Sequence, residues 1–312
     1  MVYVAGQLVT GHGRILPPLG PRWNVDRLSQ WGVAMKLGFF PINNGIFADP
    51  SVMVEVSQAC EAAGFDSVWT GEHVVLPDPQ VPPSPVAPET PMLDPAVALA
   101  YIAARTTTLR LGTGIIIVPQ RNPLVLAKEM ASLDHVSGGR LILGVGVGYL
   151  APEFAALGIS MDDRGRRTEE YLDAMRAIWR GEAYEGMYAS FSGVTANPRP
   201  VQTPPPVVMG GHSAPAYRRA VTSCEGWYGF AMTPESAQKS IDGLAQAAQR
   251  YERPTGLGPL ELSITPRGAL TEHTVAAFAA MGVNRLIPMA PATFSVGDTL
   301  TMVADLANRY LG

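Results

Sequence analysis

Cysteine is nearly missing from this chain. Cys60 and Cys224 are the two in 312 residues, with no CxxC and no Cys/His spacing suited to a metal ion. That excludes a disulfide scaffold and a zinc module, and it suits a reducing cytoplasm. Charge is also scarce, at 16% of residues, and 27 acidic against 23 basic side chains leave a net charge of −4. There is no basic field to hold nucleic acid or an anionic membrane surface. No uninterrupted apolar run reaches the roughly 18 to 20 residues that a membrane span requires. The signatures of covalent hydrolases, metalloproteases and P-loop enzymes (GxSxG, HExxH, GKS/T) do not occur, nor do paired metal carboxylates. What remains is a globular protein, expected in the cytoplasm, whose partner is a small molecule.

What the chain does have is apolar volume, 47% of residues, arranged in a repeating order. A short apolar strand leads to a polar loop, then Asp, Asn or Thr followed by Pro, then a helix and a Gly that leads to the next strand. Asp49-Pro50, Asp94-Pro95, Asn122-Pro123 and Thr233-Pro234 each set an N-cap side chain before a proline, whose missing N–H costs nothing at the first helical position. Strands are predicted at 35–40, 66–70, 109–117, 141–145, 206–209, 226–230, 260–264 and 284–289. Eight strands with intervening helices predict one (β/α)8 TIM barrel over residues 35–312, with long loops at its C-terminal face. The proline-rich stretch 77–93 and the irregular stretch 184–206 are the departures from the repeat. Residues 1–34 lack the order of a signal peptide. They read as an N-terminal extension, whether native, a cloning remnant or a misplaced start upstream of Met35.

In a barrel of this kind the strand ends carry chemistry. Glu72 and His73 follow the second strand, and period two puts them on opposite faces, so one of them should face the cavity. A strand-end histidine also serves simply to bond a loop carbonyl. The run LGTGIIIVPQRNP, from Leu111 to Pro123, places Gly112, Thr113 and Gly114 where a barrel interior calls for volume. It reads either as a bulge or as room for the close approach of a flat ring. Gly144, Gly146 and Gly148 repeat the pattern on the fourth strand as GxGxG, and no ribose-binding acid follows, which argues against a dinucleotide fold. Tyr149 ends that strand, to donate a hydrogen bond or to wall the cavity. Gly210, Gly211, His212 and Ser213 lead into a helix, a turn that suits phosphate. The charged run Arg164, Arg166, Arg167, Glu169, Glu170 reads as a solvated helix start, and Asp134 and Arg140 as structural ties.

Taken together, GFFP, GFDSVWTGEHVVLP, the stretch from LRLGTGIII to GYLAPEF, RRTEEYLDAMRAIW and PPPVVMGGHS resemble the bacterial luciferase-like oxidoreductases, from Met35 to about Arg285. The likeness is greatest to the branch that uses the deazaflavin coenzyme F420 rather than FMN. The resemblance implies a coenzyme ring at the C-terminal mouth, lying against a third-strand bulge that often contains a non-proline cis peptide. By position that bond is Gly114-Ile115, with Thr113 beside it. It implies that Glu72 and His73 face the reactive ring edge, with His73 managing the proton and Glu72 orienting it or bonding the ring. It also implies that Val147, Gly148, Gly210, Gly211, His212 and Ser213 contact the polar tail and phosphate. Sugar-phosphate dehydrogenases of the family carry a glutamate where this chain has Tyr149, so that substrate is not assigned and Tyr149 joins the candidates. The leading expectation is F420-dependent hydride exchange with a small organic substrate, in a chain that forms homodimers as relatives often do. The alternatives are an FMN monooxygenase served by a flavin reductase, and a non-catalytic barrel that binds a deazaflavin or another metabolite.

Overall fold

The computed structural model describes residues 2–4, 7–9 and 35–311. Eight parallel strands close on one another: β1 (Lys36–Phe39), β2 (Ser67–Thr70), β3 (Arg110–Thr113), β4 (Leu141–Gly146), β5 (Val207–Gly210), β6 (Gly226–Met232), β7 (Glu261–Pro266) and β8 (Arg285–Leu286). Closure is complete because β8 pairs with β1 and β4 with β5. The eight expected strands are all present, and the third, the sixth and the last differ from their predicted form: the sixth runs on to Met232 with a shift in register after Gly229. The third breaks after Thr113 and resumes as Ile116–Ile117, which pairs with Val145 and Gly146 of β4. The last is two residues long, because Pro288 cannot donate to a sheet. Of the N-terminal extension, Val2–Val4 and Gln7–Val9 pair antiparallel, and the rest lies outside the described residues.

The helices begin where the sequence signals them. Asp49 accepts from the backbone of Ser51 and Val52 to open α1 (Pro50–Ala62), and Asp94 does the same from Ala96 and Val97 for α2 (Pro95–Ala103). Asn122 caps α3 (Pro123–Val136). After α4 (Ala151–Ala156), α5 (Arg164–Arg180) and α6 (Ala214–Ser223), Thr233 forms a capping box with Ser236 at α7 (Pro234–Arg250). α8 (Glu272–Ala280) and α9 (Val296–Tyr310) complete the outer ring. Each such cap is worth about 1 kcal/mol and fixes where a βα loop ends.

Two layers of core result. The outer layer lies between strands and helices, and a smaller cluster of Phe40, Trp69, Ile142, Val208, Tyr228 and Ile287 plugs the barrel itself, with Ile115 packed against it. Trp69 and Tyr228 stack there with ring centroids 5.5 Å apart. Arg285 is wholly buried; it pairs with Asp66 at 2.8 Å and with Glu261, and its guanidinium lies 5.8 Å from the centre of the Trp69 ring. The proline-rich loop 77–93 follows β2 at the C-terminal end and is tied down where Gly45 donates to Pro91 and Leu93 to Asn43. The irregular segment 184–206 packs along the outer side of α5, where Glu170 accepts from Ala189 and Arg167 sits 4.9 Å over the Tyr188 ring.

Candidate active site at the barrel mouth

The bulge expected at the third strand is present, and the Gly114-Ile115 peptide is cis. Its surroundings differ from the expectation in one respect. The glycines do not leave open space; protein atoms fill it. A Cβ at Gly112 would strike the Trp69 indole, one at Gly144 the Thr113 carbonyl oxygen, and one at Gly146 the Ile115 side chain. Glycine therefore lets the bulge sink into the plug. Gly112 and Thr113 are buried, and the Thr113 hydroxyl donates to the Gly144 carbonyl at 2.7 Å. The Thr113 hydroxyl thus supports the bulge from within the barrel. Gly210 is likewise buried, with Ile115 over it. Gly114, Ile115, Val147 and Gly148 are the partly exposed members of this set.

Glu72 also departs from its expected role. It turns to the opposite face from His73, as period two requires, and 7% of it is exposed. Its carboxylate pairs with Arg121 at 2.6 Å and accepts from the backbone N–H of Ile117. Burial pushes this carboxyl above its usual range, against the opposing effect of Arg121 and the Ile117 N–H. Glu72 therefore ties the β2 end to the resumed third strand, and it neither orients His73 nor faces the mouth.

The group that orients His73 is Glu153, which the sequence reading did not single out. Glu153 lies in α4, just after β4, with 1% exposure. One carboxylate oxygen meets His73 Nδ1 at 3.0 Å and the other accepts from the Val74 N–H at 2.6 Å. Burial alone would raise the Glu153 carboxyl; the hydrogen bond and charge of His73, with the Val74 N–H, outweigh it and hold the carboxyl below its ordinary value. An ionised Glu153 puts the hydrogen on His73 Nδ1 and leaves Nε2 as the working nitrogen. Tyr149 Oη lies 3.2 Å from that Nε2, and half of Tyr149 is exposed at the mouth. Burial first, then the Glu153 charge, raises the Tyr149 phenol above its usual range, so it remains an O–H. Glu153, His73 and Tyr149 therefore form a hydrogen-bonded line from the interior to the opening. The β2 end beneath it is clamped by Asn43, whose amide exchanges hydrogen bonds of 2.9 Å with both backbone groups of Gly71.

Gly211, His212 and Ser213 are exposed beside the N-terminus of α6, Gly211 has φ of 114°, and the Ser213 side chain makes no cap bond. Arg164, assigned from sequence to a solvated helix start, reaches the mouth and donates to the Gly148 carbonyl at 3.3 Å. A half-buried bulge, an exposed glycine turn and a helix start without a side-chain cap fit a coenzyme made of a flat ring and a phosphate-bearing tail. Among the described residues no group of three or more His, Cys, Asp or Glu is placed to hold a metal ion, and no helix is long and apolar enough to cross a membrane.

Comparison with known proteins agrees with this architecture. Residues 32–293 match the luciferase-like monooxygenase family, and the chain belongs to it. An uncharacterized protein of Mycobacterium tuberculosis is 32% identical over 182 residues, covering 55% of this chain. The matched region spans 64% of that relative's length. The oxygenase component of the flavin-dependent trigonelline monooxygenase of Acinetobacter baylyi is 31% identical over 159 residues, covering 50% of this chain and 41% of that protein. Among solved structures, an F420-dependent secondary alcohol dehydrogenase in complex with an F420-acetone adduct superposes with a TM-score of 0.71 at 15% identity, over 88% of this chain and 98% of that one. At that identity the likeness is one of fold.

Proposed function

We propose that this member of the luciferase-like monooxygenase family is an oxidoreductase that uses coenzyme F420 to exchange a hydride with a small organic substrate, with His73 as its proton carrier. The observation that supports this reading most is the line Glu153–His73–Tyr149 at the same mouth as the Gly114-Ile115 bulge and the exposed 211–213 turn. When bound, the deazaflavin supplies a two-electron, hydride-accepting centre. The protein's part is to position and to move protons. The bulge with the partly exposed Ile115 offers a platform for a ring, and Gly211, His212, Ser213 and the start of α6 offer N–H groups to a phosphate. When an alcohol carbon gives up a hydride, its O–H proton passes to His73 Nε2, and the buried Glu153 carboxylate stabilises the imidazolium through Nδ1. In the reverse direction His73 returns that proton to the carbonyl oxygen. Tyr149 donates to Nε2 while the imidazole is neutral and rotates away to admit the substrate oxygen.

The second reading, an FMN-dependent monooxygenase served by a flavin reductase, is favoured by the 31% identity to the trigonelline monooxygenase component. Titration of the purified chain with F420 and with FMN, followed by fluorescence quenching, separates the two. Saturable F420 binding with none for FMN is the expected result. FMN binding without F420 binding would replace the first reading with the second.

A further inference from the structure

The mouth has a second wall, and it is apolar. In a ring of eight strands β6 stands diametrically across from β2, which carries His73. Phe230 near the end of β6 is 40% exposed, and Met289 just beyond β8 is 38% exposed. Phe40, past the end of β1, lies between them: its ring meets Phe230 edge-on at 5.5 Å, and its backbone bridges to Met289. A Cβ at Gly71, two residues before His73, would meet the buried Phe40 at 3.5 Å, so the packing that backs this surface continues up to the strand end that carries the histidine. Val74, immediately after His73, is 49% exposed. Large apolar side chains left open at the C-terminal ends of β2, β6 and β8, around one end of the barrel, mark a binding surface.

Phe230 is also held in place by a specific device. Residues two apart on a strand share a face, so Phe230 continues upward the column begun by Tyr228, with rings 6.5 Å apart. The register between β6 and β7 then shifts between Gly229 and Met232, and Ala231 takes a left-handed φ of 52°. It is the one non-glycine residue with positive φ among the described residues. A left-handed alanine is unfavourable and persists where its surroundings enforce it, and a bulge at a barrel rim re-aims a side chain. His212 completes the arrangement by accepting the Phe230 N–H at Nε2, 3.2 Å away.

We infer that Phe230, with Phe40 and Met289 behind it, determines substrate choice: the substrate is an uncharged alcohol or carbonyl compound whose reacting oxygen faces His73 and whose apolar remainder lies on Phe230. The inference rests on the proposed oxidoreductase reading for the role of His73, but the apolar wall and its test do not depend on the coenzyme. Ligand-observed NMR titrations of the full chain with acetone, 2-butanone, 2-hexanone and 2-octanone, and with glucose 6-phosphate as a charged comparator, provide that test. Affinity should rise along the ketone series by up to roughly fourfold per buried methylene, and glucose 6-phosphate should not compete. Phe230→Ala should weaken 2-octanone about tenfold and leave acetone unchanged, while Phe230→Leu restores most of the loss. Equal affinity along the series, an unchanged 2-octanone affinity in Phe230→Ala, or preferential binding of glucose 6-phosphate would overturn the inference. Failure of F420 to bind, with the ketone series and the Phe230 effect intact, would remove the coenzyme assignment and leave the apolar substrate surface standing.

Discussion

The two walls of the barrel mouth are built on different physics. On the β2 and β4 side, a buried carboxylate, an imidazole and a phenol form a hydrogen-bonded line in which each polar atom has a partner. On the β6 and β8 side, Phe230 and Met289, backed by the buried Phe40, present surface that hydrogen-bonds nothing and is left to water. The first arrangement stabilises a charge that appears and disappears; the second gains free energy when it is covered. A mouth with one wall able to move protons and another able to bind apolar groups suits the proposed oxidoreductase of uncharged organic molecules. Below both walls lies the same plug of Trp69, Tyr228 and Ile115, so each is held by one rigid base.

The comparison can be broken most severely at the polar wall. His73→Ala should cut turnover by about 10²-fold or more while coenzyme and ketone affinities, read by fluorescence and NMR, change little. A comparable loss of affinity would mean that His73 binds rather than transfers. Damage to the shared base is the next largest effect. Gly144→Ala forces a methyl group onto the Thr113 carbonyl and should destabilise the fold by roughly 1 to 3 kcal/mol in a denaturant titration, whereas Gly138→Ala, in open space but at φ of 69°, reports the cost of backbone conformation alone.

Glu153→Gln keeps the shape but removes the charge behind His73. Turnover should fall by roughly tenfold, with substrate affinity retained. Because the folded state holds Glu153 below its ordinary 4.5, its contribution to stability is complete above that value and is lost as the pH falls through the lower folded value. Wild type and Glu153→Gln should therefore differ in thermal stability at pH 7 and converge in strong acid. The smallest effect belongs to the apolar wall. Partial desolvation of the ring against the β6 rim lowers the pKa of the otherwise exposed His212 from 6.5, so the neutral form that accepts the Phe230 N–H is favoured, and its contribution is present above pH 6.5 and lost as the pH falls below it. Thermal melts from pH 7.5 to 5.5 should show a larger decline in wild type than in His212→Ala; parallel declines would mean that His212 does not pin the bulge.

The parts of this site that follow local rules were legible in the sequence. Four N-caps stand where Asp-Pro, Asn-Pro and Thr-Pro occur, because capping is decided within three residues. The broken third strand at Gly114-Ile115 was legible through its glycines and its family resemblance. What those glycines accommodate was not, because Trp69, Thr113 and Ile115 reach them from other strands or from across the bulge. For the same reason, Glu153 holds the place beside His73 that was expected of Glu72. Glu72 adjoins His73 in sequence but faces away, and Glu153 arrives from 80 residues downstream. The sole advance signal for Glu153 was its place just after the fourth strand end. Phe230 was hidden more completely, since GWYGFAM reads as an ordinary strand and neither the left-handed Ala231 nor the His212 contact leaves a mark in composition.

In the proposed reaction this mouth exchanges a hydride with an uncharged substrate while His73 carries the proton. Its most direct test follows the absorbance of oxidised F420 after addition of 2-octanol under anaerobic conditions, with wild type and His73→Ala side by side. Wild type should bleach the coenzyme, and the variant should do so about 10²-fold more slowly at equal coenzyme occupancy. Equal rates in the two proteins, or no bleaching by wild type with any alcohol or ketone of the series in either direction, would contradict it.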